Sequence, residues 1–254
     1  MPRMTPAVLR SFDILELFLA SPRALSAPEI AQLTGLPRTT VFELLATLTS
    51  RKYLDRDESA GRYRLGVRVF QLGNVFADGM ELHRVGQRVA ESVAAACAET
   101  VNVGILDNAD VVYLCKVEST QAVRMVSRTG GRLPASCTAV GKALLAHLPA
   151  AQLGQILEAD GGLPRLTPKS ITDPSLLRDQ LDSVRTTGLA YEEGESTPDV
   201  SCVAAPVRDH RGGVVAALSI SVPDMRWRQR PVEEWASMLS TGAREFSAAI
   251  GGGG

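Results

Sequence analysis

The chain has few aromatics, 5% of 254 residues, only four cysteines and three histidines, and no surplus of charge, with a formal net charge of −1. Each scarcity excludes something. Cys97, Cys115, Cys137 and Cys202 are widely separated and include no CxxC pair, which argues against a zinc knuckle or a disulfide framework and suits a reducing compartment. His83, His147 and His210 do not neighbour any cysteine in sequence, so no metal-ligand spacing or Cys–His dyad is evident. No run approaches the ~18 apolar residues of a membrane span, and Met1-Pro2-Arg3 leads into an amphipathic segment instead of a signal-peptide core. The expected location is cytoplasmic, with no membrane partner. Gly141-Lys142 is not a phosphate loop: no glycine stands at the required upstream spacing, and Ala143 follows where Ser or Thr is needed. Lys142 therefore reads as helix surface.

Composition is otherwise that of a soluble globular chain, 45% hydrophobic and 22% charged, long enough to bury a core. The most informative stretch is 26–50, SAPEIAQLTGLPRTTVFELLATLTS. Ser26 and Glu29 have capping-box spacing, and Ile30 and Leu33 begin an apolar stripe. Gly35 and Pro37 break the helix. A second helix opens near Arg38, with Val41, Leu44, Leu45 and Leu48 on one buried face. Arg38, Thr39, Thr40, Phe42 and Glu43 are left at its exposed start, the layout of a helix-turn-helix. Phe42 has two readings, a thymine methyl contact or packing on the first helix, and packing is favoured.

Residues 53–56 and 62–65 read as strands around a turn at 57–61, a wing with Arg62 and Arg64 on its outer face and Tyr63 and Leu65 on the other. Those arginines suit DNA backbone or minor-groove contact. Residues 1–67 carry nine basic and seven acidic side chains, a local balance of +2 within a chain of −1. Binding would depend on a basic surface, not a basic protein.

The spacing predicts a first helix over 6–20 that packs on the helix-turn-helix through Val8, Leu9, Phe12, Leu15 and Leu19. A winged domain then covers 5–66, a linking helix 67–84, a second domain 85–250 and a flexible tail 251–254. In the second domain the pattern predicts a helix at 85–99, a hairpin of 101–106 with 111–117, and a third strand at 122–127. An irregular loop at 130–134, helices at 138–147 and 149–158, and a loop at 161–169 follow. A helix over 173–187 is capped by Asp173 with Pro174 behind it. Strands at 201–208 and 214–222 and a closing helix at 231–249 complete the domain. Strands on one side and helices on the other, without strict βαβ alternation, indicate an α+β sensor domain.

These segments resemble the isocitrate lyase regulator (IclR) family of bacterial transcription factors over nearly the whole chain. LSAPEIAQLTGLPRTTVFELLATLTSRKYL and RYRLG resemble its winged helix. GGRLPASCTAVGKALLAHL (130–148) resembles its loop-and-helix segment, and GLAYEEGESTPDVSCVAAPV (188–207) with GGVVAALSIS its signature region. The resemblance implies a metabolite-responsive regulator, a repressor by default, working as a homodimer or homotetramer on a double-stranded operator. It also implies a GAF-like effector domain, with Met125, Leu133, Ala139, Val140, Glu192, Glu195, Val200 and Cys202 lining the pocket. The amides near Thr138–Gly141 would open a helix toward an anion, so a small carboxylate is the expected effector. The family commonly has aspartate at Glu192, another acid at Gly194 and an arginine at Glu43. Glutamate at that last position can accept from cytosine N4.

Two other readings exist. One is a hydrolase using Cys202 or the Glu192/Glu195 pair. The other is a constitutive DNA-binding protein whose second domain only oligomerises. By residue type alone, Glu192, Glu193 and Glu195 read as a solvated acidic loop, and no cofactor or metal is expected.

Overall fold

A computed structural model of the chain describes residues 4–20, 23–122 and 128–251. The fold divides into two units, Met1–Gly79 and Met80–Gly254. In the first, α1 (Pro6–Ala20), β1 (Leu25–Ser26), α2 (Ala27–Thr34) and α3 (Arg38–Ser50) precede β2 (Leu54–Asp57), β3 (Arg62–Leu65) and α4 (Val67–Gly79). The capping box forms: Ser26 Oγ accepts from Glu29 N, and Glu29 Oε2 accepts from Ser26 N at 2.8 Å. Gly35, at φ 68°, ends α2 in the left-handed region, and Pro37 leads into α3. Ile14, Phe18, Ile30, Val41, Leu45, Leu48, Leu54 and Tyr63 form the core. The wing gains a third strand, since Leu25 pairs with Tyr63 and Ser26 with Arg62, in the order β1-β3-β2.

Three expectations about this part of the chain are corrected. α1 buries Ile14 and Phe18, while Val8, Leu9, Phe12 and Leu19 stay exposed and Leu15 is only partly buried. The helix is apolar nearly all round, so periodicity offered two stripes and the other one faces the core. Leu33 is likewise exposed. The helix expected over 67–84 is two: α4 ends at Gly79, and α5 (Glu81–Cys97) begins after Met80, whose extended backbone interrupts the hydrogen-bond ladder.

After α5 come β4 (Thr100–Asp107), β5 (Asp110–Val117), β6 (Arg132–Pro134) and a 3₁₀ turn, Ala135–Cys137. Then follow α6 (Ala139–Leu145), α7 (Ala150–Leu157), α8 (Pro174–Thr187), β7 (Ala190–Glu193), β8 (Val200–Arg208), β9 (Val214–Pro223), α9 (Asp224–Trp227) and α10 (Val232–Ala249). The strands make one antiparallel sheet, β6-β5-β4-β9-β8-β7. The α+β class holds, but helices cover both faces. α5 and α10 pack on Val101, Val103, Val203, Leu218, Ile220 and Val222, while α6, α7 and α8 pack on Val111, Tyr113, Cys202, Ala204 and Ala217. Near-continuous apolar runs in β8 and β9 are the sequence sign of burial on both faces.

The segment 130–134 is not wholly irregular, because Leu133 pairs with Val111 and extends the sheet. Arg132 pins that edge to Asp107 at 2.6 Å and Asp110 at 3.3 Å. Of the strand expected at 122–127, residues 123–127 lie outside the described residues, as do 252–254 of the tail. Asp173 caps α8 through Ser175 N at 2.8 Å, as its position predicts.

α6 sits unusually close to the turn before it. A Cβ at Gly141 would lie 2.1 Å from Ala135 O, whereas one at Gly154 in α7 would meet nothing. Gly141→Ala is expected to lower unfolding free energy by about 2 kcal/mol or more, and Gly154→Ala to leave it unchanged or raise it by up to ~1 kcal/mol. Urea denaturation of the two variants, compared with wild type, checks the contrast.

Candidate functional site

Burial of Val41, Leu45 and Leu48 turns the other side of α3 outward. Arg38, Thr39, Phe42 and Glu43 are exposed there and Thr40 is half-buried. Phe42, 58% exposed, does not pack on the first helix; the favoured reading of this residue is corrected, and its ring is available to an external partner. Arg64 is exposed on the wing. Arg62 is partly committed to the fold, since its Nη1 donates to Ala24 O at 2.9 Å and to Glu29 Oε2 at 3.2 Å. Hydrogen bonds from Ser26, then Arg23, hold the Glu29 carboxyl down to about 2, so it stays ionised for this pairing. The two wing arginines are thus unequal. On the opposite side of β3, Tyr63 is buried but Leu65 is exposed.

In the second unit the α6 face of the sheet is floored by residues of β5, β7, β8 and β9, with Leu133 of β6 and Leu106 of β4 at its margin. Leu133, Ala139, Val140, Val200 and Cys202 belong to one apolar cluster, with Leu133 packed at its margin. Met125 lies outside the described residues. Glu192 is not in a solvated loop: it sits on β7, 1% exposed, directly opposite Cys202. Its Oε1 accepts from Ser196 N at 2.9 Å and Ser196 Oγ at 2.6 Å, while Oε2 has no hydrogen-bond partner. Burial pushes its carboxyl up to about 7, against the lowering pull of the Ser196 hydrogen bonds.

Sequence reasoning missed the polar neighbours. Cys202 Sγ donates to Ser221 Oγ at 3.2 Å, Asn102 Nδ2 donates to the same hydroxyl at 3.3 Å, and Ser219 is buried on the same strand face. The Tyr113 side chain is buried, and burial raises its phenol well above the usual range. A readable signal existed: Ser219 and Ser221 recur at period two inside an otherwise apolar strand, and so share one face.

Lys142 is the largest correction. It is not helix surface but 1% exposed, and its Nζ donates to Glu195 Oε1 at 2.5 Å and to Tyr191 O at 3.3 Å. All seven residues of α6 are buried, so a lysine there needs an internal anion. Glu195 keeps a second, unpartnered oxygen. The loop carrying it is braced by Thr167 Oγ1 donating to Gly194 O at 2.6 Å and Ser170 Oγ donating to Glu195 O at 2.7 Å. Gly194 adopts φ 73°, which explains a glycine where the resemblance suggests an acid. At the start of α6, Thr138 Oγ1 takes Gly141 N at 2.9 Å, which withdraws one of the amides expected to face an anion.

The cluster is poorly suited to nucleophilic chemistry. Burial, then the Glu192 charge, raises the Cys202 thiol well above its usual range and keeps it protonated. Among the described residues, no three His, Cys, Asp or Glu side chains gather as metal ligands. The arrangement instead gathers buried polar groups: one neutral thiol, two serine hydroxyls, an amide, a phenol and a carboxyl oxygen without a partner among the described residues.

Removing one member of the Lys142–Glu195 pair leaves the other charged and buried. Lys142→Met is expected to cost about 3–5 kcal/mol, and combining it with Glu195→Leu to recover most of it. A denaturation double-mutant cycle measures both.

Comparison with known proteins gives a consistent picture. The domain family "Bacterial transcriptional regulator IclR C-terminal" matches residues 75–248, and "IclR helix-turn-helix domain" matches 7–58. The chain is 33% identical over 250 residues to the HTH-type transcriptional regulator KdgR of Escherichia coli, covering 98% of this chain and 94% of that relative. The crystal structure of an IclR transcriptional regulator from Alicyclobacillus acidocaldarius superposes with a TM-score of 0.87 at 28% identity, covering 98% of this chain and 100% of that one. An IclR homolog from Microbacterium hydrocarbonoxydans, complexed with 4-hydroxybenzoate, gives a TM-score of 0.85 at 27% identity, covering 96% of this chain and 98% of that one.

Proposed function

The chain belongs to the IclR family of bacterial transcriptional regulators, and within it we propose a repressor whose operator affinity is set by a small organic acid bound beneath α6. It is a DNA-binding regulator and not an enzyme. The single observation that carries the effector assignment is Glu192: buried, on the strand face shared with Cys202 and Ser221, with one carboxyl oxygen unpartnered. A buried polar atom without a partner is costly, and a ligand hydrogen bond would remove that cost. Ala139, Val140, Leu133 and Val200 supply the apolar wall, and Glu195 the partner that holds Lys142. The 4-hydroxybenzoate in the Microbacterium homolog supports a carboxylate as the chemical class.

For DNA, α3 enters the major groove through Arg38, Thr39, Thr40, Phe42 and Glu43, and Arg64 contacts the phosphate backbone, with Arg62 in a lesser role. We assign the active form to a homodimer or a dimer of dimers in the cytoplasm. The support is the set of exposed apolar side chains on α1 (Val8, Leu9, Phe12, Leu19) and on α4 (Val67, Phe70, Leu72, Val75, Phe76). Apolar faces of that extent are what an isologous interface covers. The domain limits 5–66, 67–84 and 85–250 are retained as functional limits of head, link and sensor.

In a thermal-shift panel of aromatic, hydroxy, keto and sugar acids, a ligand at ~100 times its dissociation constant adds ~2.7 kcal/mol to stability. At least one acid is expected to raise the melting temperature of wild type and not of Val140→Trp; a blank panel counts against an acid effector. In gel shifts, Arg64→Ala is expected to reduce the slope of log affinity against log salt by about 0.9 per DNA-bound subunit, and Arg62→Ala by less. Equal effects would show that the Glu29 contact does not restrain Arg62. Phe12→Glu combined with Phe70→Glu is expected to give monomers by light scattering; unchanged mass would remove the interface assignment.

A further inference from the structure

The floor beneath α6 has more negative than positive charge to offer. Its one described cation at the centre, Lys142, is already spent on Glu195 Oε1 and Tyr191 O. The groups around Glu192 come from each packed element. They are Tyr113 on β5, Lys142 in α6, Glu195 and Ser196 after β7, and Cys202 on β8 with Ser221 of β9 beside it. Lys169, from the loop before α8, lies against Gly194. Glu193, the next residue along β7, is exposed and adds negative charge near Glu195.

Burial keeps the Tyr113 phenol and the Cys202 thiol neutral. With both glutamates ionised, two carboxylates would face one ammonium in a low-dielectric site, and each would keep an unpartnered Oε2. An anionic effector would add a third negative charge against Glu192. Ionised glutamate only accepts hydrogen bonds, so it would repel a carboxylate; protonated glutamate has an O–H to donate. The Ser196 amide and hydroxyl already hold Oε1 as an acceptor, which leaves Oε2 as the oxygen to carry a proton.

Resting on the acid-effector reading, we propose that the site takes its effector together with one proton, held on Glu192 Oε2 and donated in a hydrogen bond to the ligand's carboxylate. The balance is simple: a ligand carboxylate, an ionised Glu192 and a solvent proton give a neutral Glu192 hydrogen-bonded to the ligand anion. No heavy-atom bond forms or breaks. Glu192 then determines specificity, favouring an anion that accepts over an amide or amine that donates. It also makes the response weaken in alkaline conditions.

The direction follows from the raised carboxyl: below about 7 the proton is already present and affinity is flat, and above it the proton must be taken from solvent. The test is calorimetric titration of the full chain with 4-hydroxybenzoate, lactate, 2-oxobutyrate and gluconate from pH 5.5 to 8.5. For any acid that binds, the dissociation constant should rise nearly tenfold per pH unit above the Glu192 midpoint. In two buffers of different ionisation enthalpy at pH 8, close to one proton should be taken up per ligand bound. Glu192→Gln keeps a donor that does not titrate, so its affinity should be independent of pH and should exceed that of wild type at pH 8.5.

Wild-type affinity that is flat from pH 6 to 8.5, or an unchanged pH slope in Glu192→Gln, overturns the proposal while leaving the acid-effector reading in place. Failure of all four acids to bind at any pH removes that reading, and this inference with it. If Glu192→Gln does not melt cooperatively, wild-type proton uptake alone decides.

Discussion

A lysine sealed inside the second unit imposes the strongest constraint on its structure. Desolvating an ammonium costs several kcal/mol, and only a close anion with further hydrogen bonds offsets that cost. The loop after β7 is built to deliver that anion. Thr167 and Ser170 hold its carbonyls, Gly194 makes its positive-φ turn, and Glu195 reaches Lys142 Nζ. On the other side, Gly141 lets α6 lie against Ala135, which sets the depth at which Lys142 enters. The buried polar cluster around Glu192 is a by-product of this fastening: β7 must run beside β8 for Glu195 to arrive, and that register sets Glu192 opposite Cys202.

The two units solve the burial problem differently. In the second, helices cover both faces of the six-stranded sheet, and β8 and β9 are apolar nearly throughout. In the first, one small core serves three helices and a short sheet, and the leftover apolar residues of α1 and α4 remain on the outside. One polar hub holds this smaller unit together. Glu29 caps α2 at Ser26 and also receives Arg23 and Arg62, so the same carboxylate that starts the helix-turn-helix ties the wing to it.

Local signals in the sequence were readable and long-range ones were not. The capping box at Ser26, the break at Gly35, the Val41–Leu48 stripe and the Asp173 cap each depend on residues within a turn or two, and each is present. The β4–β5 hairpin was equally visible from its period and turn. Lys142 could not be placed, because its partner is 53 residues away and the lysine sits in a helix with no polar face to betray its burial. By residue type Glu192 was misread for the same reason: three glutamates in four residues look solvated until β7 is known to lie in the sheet. The face of α1 was ambiguous because apolar residues surround it, and Arg62 looked free because Glu29 is distant in sequence. Met125, carried over by resemblance, lies outside the described residues.

The junction at Gly66 carries a mechanical consequence. Gly66 N donates to Tyr53 O at 2.8 Å and Arg68 N to Lys52 O at 3.1 Å, and no side chain fits between Gly66 and the Lys52 carbonyl. Lys52 and Tyr53 themselves hang from the last turn of α3, through Thr49 O and Leu48 O. The start of α4 is therefore riveted to the end of the recognition helix, backbone to backbone, with no compliant joint between. A torque applied to α4 is transmitted to α3 as to the far arm of a stiff crank, so a modest swing of one becomes a tilt of the exposed side chains Arg38, Thr39, Phe42 and Glu43.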